Sequence, residues 1–292
     1  MNGVINILKP KGITSFDAVF KVRKAAKTKK VGHTGTLDPE ASGVLPICIG
    51  KATKIIDYIM ENRKTYHVTY KLGVVTDTYD LEGKILKETE WSHINEEDVL
   101  KTIDSFKGDI MQIPPMYSAL KQNGVRLYTL ARQGIEVERE ARPVTIYNIE
   151  DIMINLPYIS MSVTCSKGTY IRSLCYDIGK KLGVGATMTE LRRTANGVFR
   201  EEKAIDVNLL TEENIDSYII SIEDALDSFD KLYVNAGFDK LLINGVKVQD
   251  RRLTNTKIVE NKLYRVYDKN ETFLGLGKAS KEGFKLEKLL KE

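Results

Sequence analysis

The sequence predicts an α+β protein with a mixed, largely antiparallel sheet. Three observations predict it. Short runs of period two, such as residues 65–72 with Tyr66, Val68 and Tyr70 on one face, alternate with short helical stretches. Glycine and proline punctuate the chain between them. A length of 292 residues, 42% hydrophobic and 29% charged, allows one large domain and a small one.

The elements follow in order. Residues 3–8 form an apolar strand stopped by Pro10 and Gly12. Thr14 or Ser15 caps a helix whose apolar stripe is Phe16, Val19, Phe20 and Ala26. A glycine-rich loop follows, then a buried strand over 44–49 and a helix over 51–60. Asn95 caps a helix running to Ile103. Strands over 144–154 and 158–165 meet at Asn155-Leu156-Pro157, and a helix over 169–182 ends at Gly183. Residues 201–230 hold ten acids and one base, Lys203, and read as a linker or a peripheral helix pair. Beyond them, β-like runs at 257–259, 263–267 and 273–277, with turns at Asn244-Gly245 and Asp268-Lys269-Asn270, predict a small barrel-like module. At about sixty residues it is marginal alone, so it is expected to pack on the main domain. The expected division is 1–230 and 231–292, with an excursion at 116–143.

Composition narrows the function. No segment reaches the ~20 apolar residues of a membrane span, and the start is too short in apolar residues for a secretory signal. Cys48, Cys165 and Cys175 form no disulfide framework and no CxxC pair, so a cytoplasmic setting is expected. His33, His67 and His93 have no metal-ligand spacing, so no metal is expected. The net charge of +4 is uneven. Residues 9–64 carry 12 Lys and Arg against 5 Asp and Glu, which suits a polyanion or a solvated helix face.

The loop Gly32-His33-Thr34-Gly35-Thr36-Leu37-Asp38-Pro39 carries the chemistry. Pro39 biases Asp38 to an extended backbone, and the glycines allow close approach of a ligand. Asp38 is then a nucleophile or acid–base group, or else the cap of an Asx-type turn.

This loop, continued by Ala41-Ser42-Gly43-Val44-Leu45-Pro46, resembles the signature of the tRNA pseudouridine synthase B family. The resemblance extends through Lys9-Pro10-Lys11-Gly12, Gly50-Lys51-Ala52-Thr53-Lys54, Lys64-Thr65-Tyr66 and the run from Leu72 to Thr78. It continues in the runs from Gln112 to Lys121, Ala131 to Gly134 and Cys165 to Arg172, and in Leu191-Arg192-Arg193. Ordered blocks over some two hundred residues are far more specific than one short motif.

The resemblance implies a pseudouridine-synthase catalytic domain with an inserted thumb at 116–143 and a PUA-type C-terminal module. It implies isomerisation of the T-loop uridine of tRNA (position 55 in standard numbering). Asp38 would be the nucleophile, and Arg172 would hold it ionised through two parallel hydrogen bonds. Tyr66 would stack on the freed uracil and join a late proton transfer, and Leu191 would wall the base. His33 and Tyr170 would contact displaced nucleotides, and Lys9, Lys54, Lys121 and Arg132 phosphates. An isomerisation needs no cofactor, and a monomer acting on tRNA alone is expected. The rivals are an RNA-guided relative, a catalytically silent tRNA-folding chaperone, and a metal-dependent nuclease using His33 and Asp38.

Overall fold

In a computed structural model the described residues are 1–122 and 124–291. They fall into two units. One joins Met1–Leu37, Val44–Met60 and Gly197–Glu292; the other joins Asp38–Gly43 and Glu61–Asn196.

In the first unit, strand Gly3–Lys9 is buried throughout most of its length, with Val4, Ile5 and Ile7 fully covered. Thr14 caps helix Ser15–Ala25 through a reciprocal capping box with Asp17. The buried face is Ser15, Ala18, Val19, Val22 and Ala25, while Phe16 and Phe20 are each 62% exposed. Of the stripe expected from the sequence, Val19 and Ala26 are buried as read, but Phe16 and Phe20 are not part of it. Small residues let the helix approach closely, and Ser15 must face inward because its hydroxyl donates to the Leu37 carbonyl (3.0 Å) and accepts the Leu37 N–H (2.8 Å).

Residues 51–60 are not one α-helix. A 3₁₀ segment, Gly50–Ile55, leads into α-helix Ile56–Met60. The buried residues Ala52, Ile55 and Ile59 are spaced by three and then four, matching the two windings. The acidic stretch is likewise neither a linker nor a helix pair. Its buried Ile205, Val207, Ile215, Ile222 and Leu226 are too irregular for one helix face. Val207 and Ile215 lie in short 3₁₀ turns, Ile222 in a four-residue α-helix with Leu226 just past its end, and the two-residue strands Ile205–Asp206 and Ile219–Ile220 pair with Gly3–Lys9.

The C-terminal module is a four-stranded sheet of Asp230–Tyr233, Leu263–Tyr267, Phe273–Ser280 and Gly283–Leu289. The first pair is parallel and the others antiparallel. Residues 257–259 form no strand, whereas the two outer strands escaped the sequence reading. Leu276 and Leu290 share a core with Val4, Val44, Ile55 and Phe199, so the module packs on the rest of its unit, as its size requires.

The second unit is built on five antiparallel neighbours. Their order is Ala186–Asn196, Lys64–Leu72, Tyr158–Cys165, Arg142–Asn155 and Gly108–Gln112. Asn95 caps helix Glu96–Asp104 as expected. Helix Ile171–Lys181 ends at Leu182, with Gly183 left-handed at φ +81°. Gly179 lets this helix touch the sheet, since a Cβ there would lie 2.2 Å from the Ala186 nitrogen. Ser42 and Gly43 pair in parallel with Arg192 and Arg193. Gly43 has φ +111°, and a Cβ would meet the Arg193 carbonyl oxygen at 2.2 Å. Only glycine fits there, and this close approach anchors the Asp38 loop to the sheet.

Candidate active site

Asp38 sits in a tight turn closed by Ala41 N–H donating to its carbonyl (3.1 Å). Its carboxylate lies on Arg172, with Oδ2 3.0 Å from Nη2, and its side chain stays 42% exposed. The carboxylate is thus used on a guanidinium rather than as an Asx cap.

Arg172 opens helix Ile171–Lys181 and is 6% exposed. Burying a guanidinium is tolerable only if its N–H groups are satisfied. Here Nη1 meets Asp80 Oδ2 (3.0 Å) and donates to the Thr78 carbonyl (3.3 Å), while Nη2 donates to the Tyr117 carbonyl (2.9 Å) and pairs with Asp38. The two parallel bonds to Asp38 expected from the sequence are therefore replaced by a fork shared between two aspartates. Asp80 is the fixed partner. It is buried, and its Oδ1 accepts from the Thr78 hydroxyl (2.5 Å) and the Glu82 N–H (3.1 Å).

Gln112 sets where this helix begins. Its amide clamps residue 170 from both sides, accepting the Tyr170 N–H (2.8 Å) and donating to the Tyr170 carbonyl (3.1 Å). The Ser173 hydroxyl adds a bond to the Ile113 carbonyl (2.9 Å).

Tyr66 and Leu191 lie on two paired strands. Leu191 stands opposite Val68 and Arg193 opposite Tyr66, so alternation sets all four on one face. Leu191 is 8% exposed and Arg193 1%. The Tyr66 hydroxyl hydrogen-bonds Arg193; burial pushes its phenol up, Arg193 opposes this, and Cys165 and Asp38 add to the rise. Tyr66 is therefore protonated at neutral pH and shares the electrostatic surroundings of Asp38. Tyr170 does too: burial raises its phenol, and Ser118, Arg172 and Asp38 all act on it. Glu82 reports surplus negative charge nearby. Its carboxyl is pushed up by burial first, then by Asp80, Glu40 and Asp38. Lys64, 7% exposed beside Arg193, is pushed down to about 8 by its burial and by that cation.

The structure thus gathers Asp38, Arg172, Tyr66, Tyr170 and Leu191 in one unit. His33 belongs to the other unit, at the end of strand Val31–His33, with Nδ1 accepting the Gly35 N–H (3.3 Å). Lys9 departs from expectation. It is 1% exposed and its ammonium donates to the carbonyls of Pro10 (2.9 Å) and Ile13 (2.7 Å), so it holds its own loop instead of facing a phosphate. Lys54 is exposed and reaches the Leu289 carbonyl at 3.5 Å. Lys121 and Arg132 are exposed on the 116–143 excursion, where Arg132 lies 5.5 Å from the Tyr128 ring centre. Among the described residues, no group of three or more His, Cys, Asp or Glu could hold a metal ion. None of their helices is long and apolar enough to cross a membrane.

Sequence reasoning missed Asp80, Gln112 and Arg193 as site residues. Each is a polar residue buried in a stretch whose pattern predicts only a turn or a strand. Their proximity to recognisable motifs was the only signal.

Fold and site together define a pseudouridine synthase. A solved Cbf5–Nop10–Gar1 complex aligns with TM-score 0.75 and 29% identity over 98% of this chain and 84% of that one. A solved H/ACA RNP bound to a substrate RNA containing 2′-deoxyuridine aligns with TM-score 0.74 and 26% identity over 99% and 85%. The family model for the TruB family pseudouridylate synthase N-terminal domain matches residues 23–171, and that for the tRNA pseudouridylate synthase B C-terminal domain matches residues 172–229. The chain belongs to the TruB family of pseudouridylate synthases. Its relatives include tRNA pseudouridine synthase B of Clostridium perfringens (strain 13 / Type A), 67% identical over the whole of both chains. That of Clostridium tetani is 58% identical over 99% of this chain and all of the relative.

Proposed function

We propose that this protein isomerises the T-loop uridine at position 55 of tRNA to pseudouridine, with Asp38 as nucleophile after the base is flipped out of the loop. The observation that carries the reading is the shared guanidinium. Asp80 neutralises Arg172, and Asp38 keeps a carboxylate that is oriented but not consumed by the fold.

The N1–C1′ bond of the uridine breaks as Asp38 engages the sugar, either at C1′ or by assisting loss of a 2′ proton. The freed uracil turns between Tyr66 and Leu191. C5 then bonds to C1′, the C5 proton leaves, and N1 takes up a proton. The protonated Tyr66 phenol, held by Arg193, suits a role in the late proton transfer. No electrons are exchanged, so the reaction calls for no redox cofactor.

In this reading 116–143 is a thumb over the RNA. His33 and Tyr170 meet displaced nucleotides, and Lys54, Lys121 and Arg132 meet phosphates. The enzyme acts as a cytoplasmic monomer. The RNA-guided alternative has the alignment with the H/ACA RNP in its favour, at 26% identity. Full-length identity of 67% to proteins named tRNA pseudouridine synthase B favours action on tRNA without a guide.

The test is incubation with an unmodified tRNA transcript, free of added cofactor, metal or guide RNA, followed by mapping of pseudouridine. Conversion of the T-loop uridine supports the reading. A transcript left unconverted overturns it.

A further inference from the structure

Phe16 and Phe20 stand one turn apart on helix Ser15–Ala25, and each is 62% exposed. Isolated apolar residues on a surface are ordinary, whereas two rings on one helix face form a patch. The core does not use them, since it takes Ser15, Ala18, Val19, Val22 and Ala25 from the opposite face. Lys24, one turn beyond Phe20, continues the outer stripe and is exposed. Beside it, the Arg23 guanidinium lies 5.6 Å from the centre of the Phe16 ring, and its Nη2 donates to the Val31 carbonyl (3.2 Å). Phe16 is thus braced by a cation and still open to solvent.

The charge around the two rings says what fits them. Residues 11–30 hold seven Lys and Arg against one acid, Asp17. Asp17 accepts the Thr14 N–H (2.9 Å) and hydroxyl (2.6 Å), so its charge serves the helix cap. Lys21 donates to the Asn208 side chain, and Lys27 pairs with Glu212 (2.6 Å). Lys24, Lys29 and Lys30 are exposed, and no acid pairs with them among the described residues. Surplus cations beside two bare rings match a partner that carries phosphates and flat π-faces together. RNA carries both. An anionic bilayer has the charge, but takes leucine as readily as phenylalanine.

We propose that the outer face of helix Ser15–Ala25 is an RNA-binding surface, on which an unpaired nucleotide of the tRNA stacks on Phe16 and Phe20 while Lys24, Lys29 and Lys30 bind flanking phosphates. The proposal rests on the reading above in taking tRNA as the RNA. The nucleotide is unpaired because bases inside a duplex have both faces already stacked. Stacking on a phenyl face is tolerant of base identity, so this surface contributes affinity and little sequence choice. The lysine contacts release counterions and make that affinity salt-dependent.

The test measures binding of an unmodified tRNA transcript by the full-length protein. The double variant Phe16→Leu, Phe20→Leu keeps apolar surface and removes both rings. It is expected to weaken tRNA binding roughly five- to thirtyfold, with an unchanged urea midpoint because both positions are exposed. Phe20→Trp keeps a ring, so its Kd should stay within about twofold of wild type, and tRNA should quench its added indole emission. The wild-type chain has one tryptophan, Trp91, so the emission gained over wild type reports on position 20. Lys24→Gln, Lys29→Gln and Lys30→Gln together should make the slope of log K against log[salt] shallower by about 2.

Wild-type affinity in the leucine pair, an unquenched indole in Phe20→Trp, or an unchanged salt slope in the lysine variant would each overturn the proposal. So would flotation of the wild-type protein with phosphatidylserine vesicles that is lost in the leucine pair while tRNA binding is not, since the face would then be a membrane contact. A chain that binds tRNA through these rings yet leaves the T-loop uridine unconverted supports this proposal and overturns the function proposed above.

Discussion

Two arginines, one in each unit, are buried to the same 6% exposure. Arg265, on strand Leu263–Tyr267, pairs with Asp227 (2.8 Å) and donates to the carbonyls of Phe229 (2.8 Å) and Asp227 (3.3 Å). Arg172 pairs with two aspartates and also donates to two carbonyls. Exposure of the acids does not separate the cases, since Asp227 is more exposed than Asp38, 68% against 42%. Stoichiometry does. One carboxylate balances Arg265, and the arrangement joins segments of the fold. Asp80 balances Arg172, so Asp38 is a surplus charge, aimed by the guanidinium and not needed to neutralise it. A buried cation with one acid is a structural device, and one with a second acid can keep a reactive group in place.

The strongest way to break this comparison is to neutralise the two acids in parallel. Asp38→Asn is expected to abolish pseudouridine formation with tRNA affinity within a few fold of wild type. Asp227→Asn should retain the wild-type rate while lowering stability by about 1 kcal/mol, because Asp227 is solvent-screened. Turnover by a verified Asp38→Asn protein would end the assignment. Rate and urea midpoint measured on the same preparations provide the contrast.

Changing the cations sharpens it. In Arg172→Lys a single ammonium replaces a fork that spans two acids and two carbonyls. A fall of over about a hundredfold in single-turnover rate is expected, as for the loss of a preorganised electrostatic group. Arg265→Lys should lower the urea midpoint and leave the rate within a few fold. Equal effects of the two variants on rate would show that stoichiometry is irrelevant.

A smaller effect is expected from His33, in the loop of Asp38 but outside its unit. His33→Ala should slow the reaction less than Asp38→Asn. Its defect should be larger on an intact T-stem-loop than on one whose loop-closing pair is disrupted, since flipping costs a few kcal/mol only in the folded loop. The same defect on both RNAs would leave His33 a structural residue of the loop.

The smallest effect concerns a carboxylate with no buried cation. Burial pushes Asp177, on the Arg172 helix, up to about 6, opposed by exposed Lys180. With its folded value above the unfolded one, the native state binds more protons between about pH 4 and 6, and stability falls as pH rises through that window. Asp177→Asn should therefore stabilise the protein by about 1–2 kcal/mol at pH 7.5, after solvent screening, and hardly at pH 4. A gain at pH 4 as large as at pH 7.5 would contradict this.

The sequence by itself determined what depends on nearest neighbours. The Asn95 cap, the stop at Gly183, the alternation over 65–72 and the strand pair flanking Asn155-Leu156-Pro157 were legible because turn chemistry and periodicity act over a few residues. Asp38, Tyr66, Arg172 and Leu191 were singled out as candidates through ordered motif blocks, and the structure places them in one unit. Only the tertiary structure decided how Arg172 divides its fork, because Asp80 lies 92 residues away in sequence. It alone turned Phe16 and Phe20 outward, since periodicity defines a stripe but not which of two adjacent stripes meets the core. It also buried Lys9, whose ammonium found two carbonyls, and Arg193, whose guanidinium found Tyr66. A long charged side chain carries no local mark of its partner. Whether it faces solvent or another buried group is settled by burial and hydrogen bonding, and those exist only once distant segments have come together.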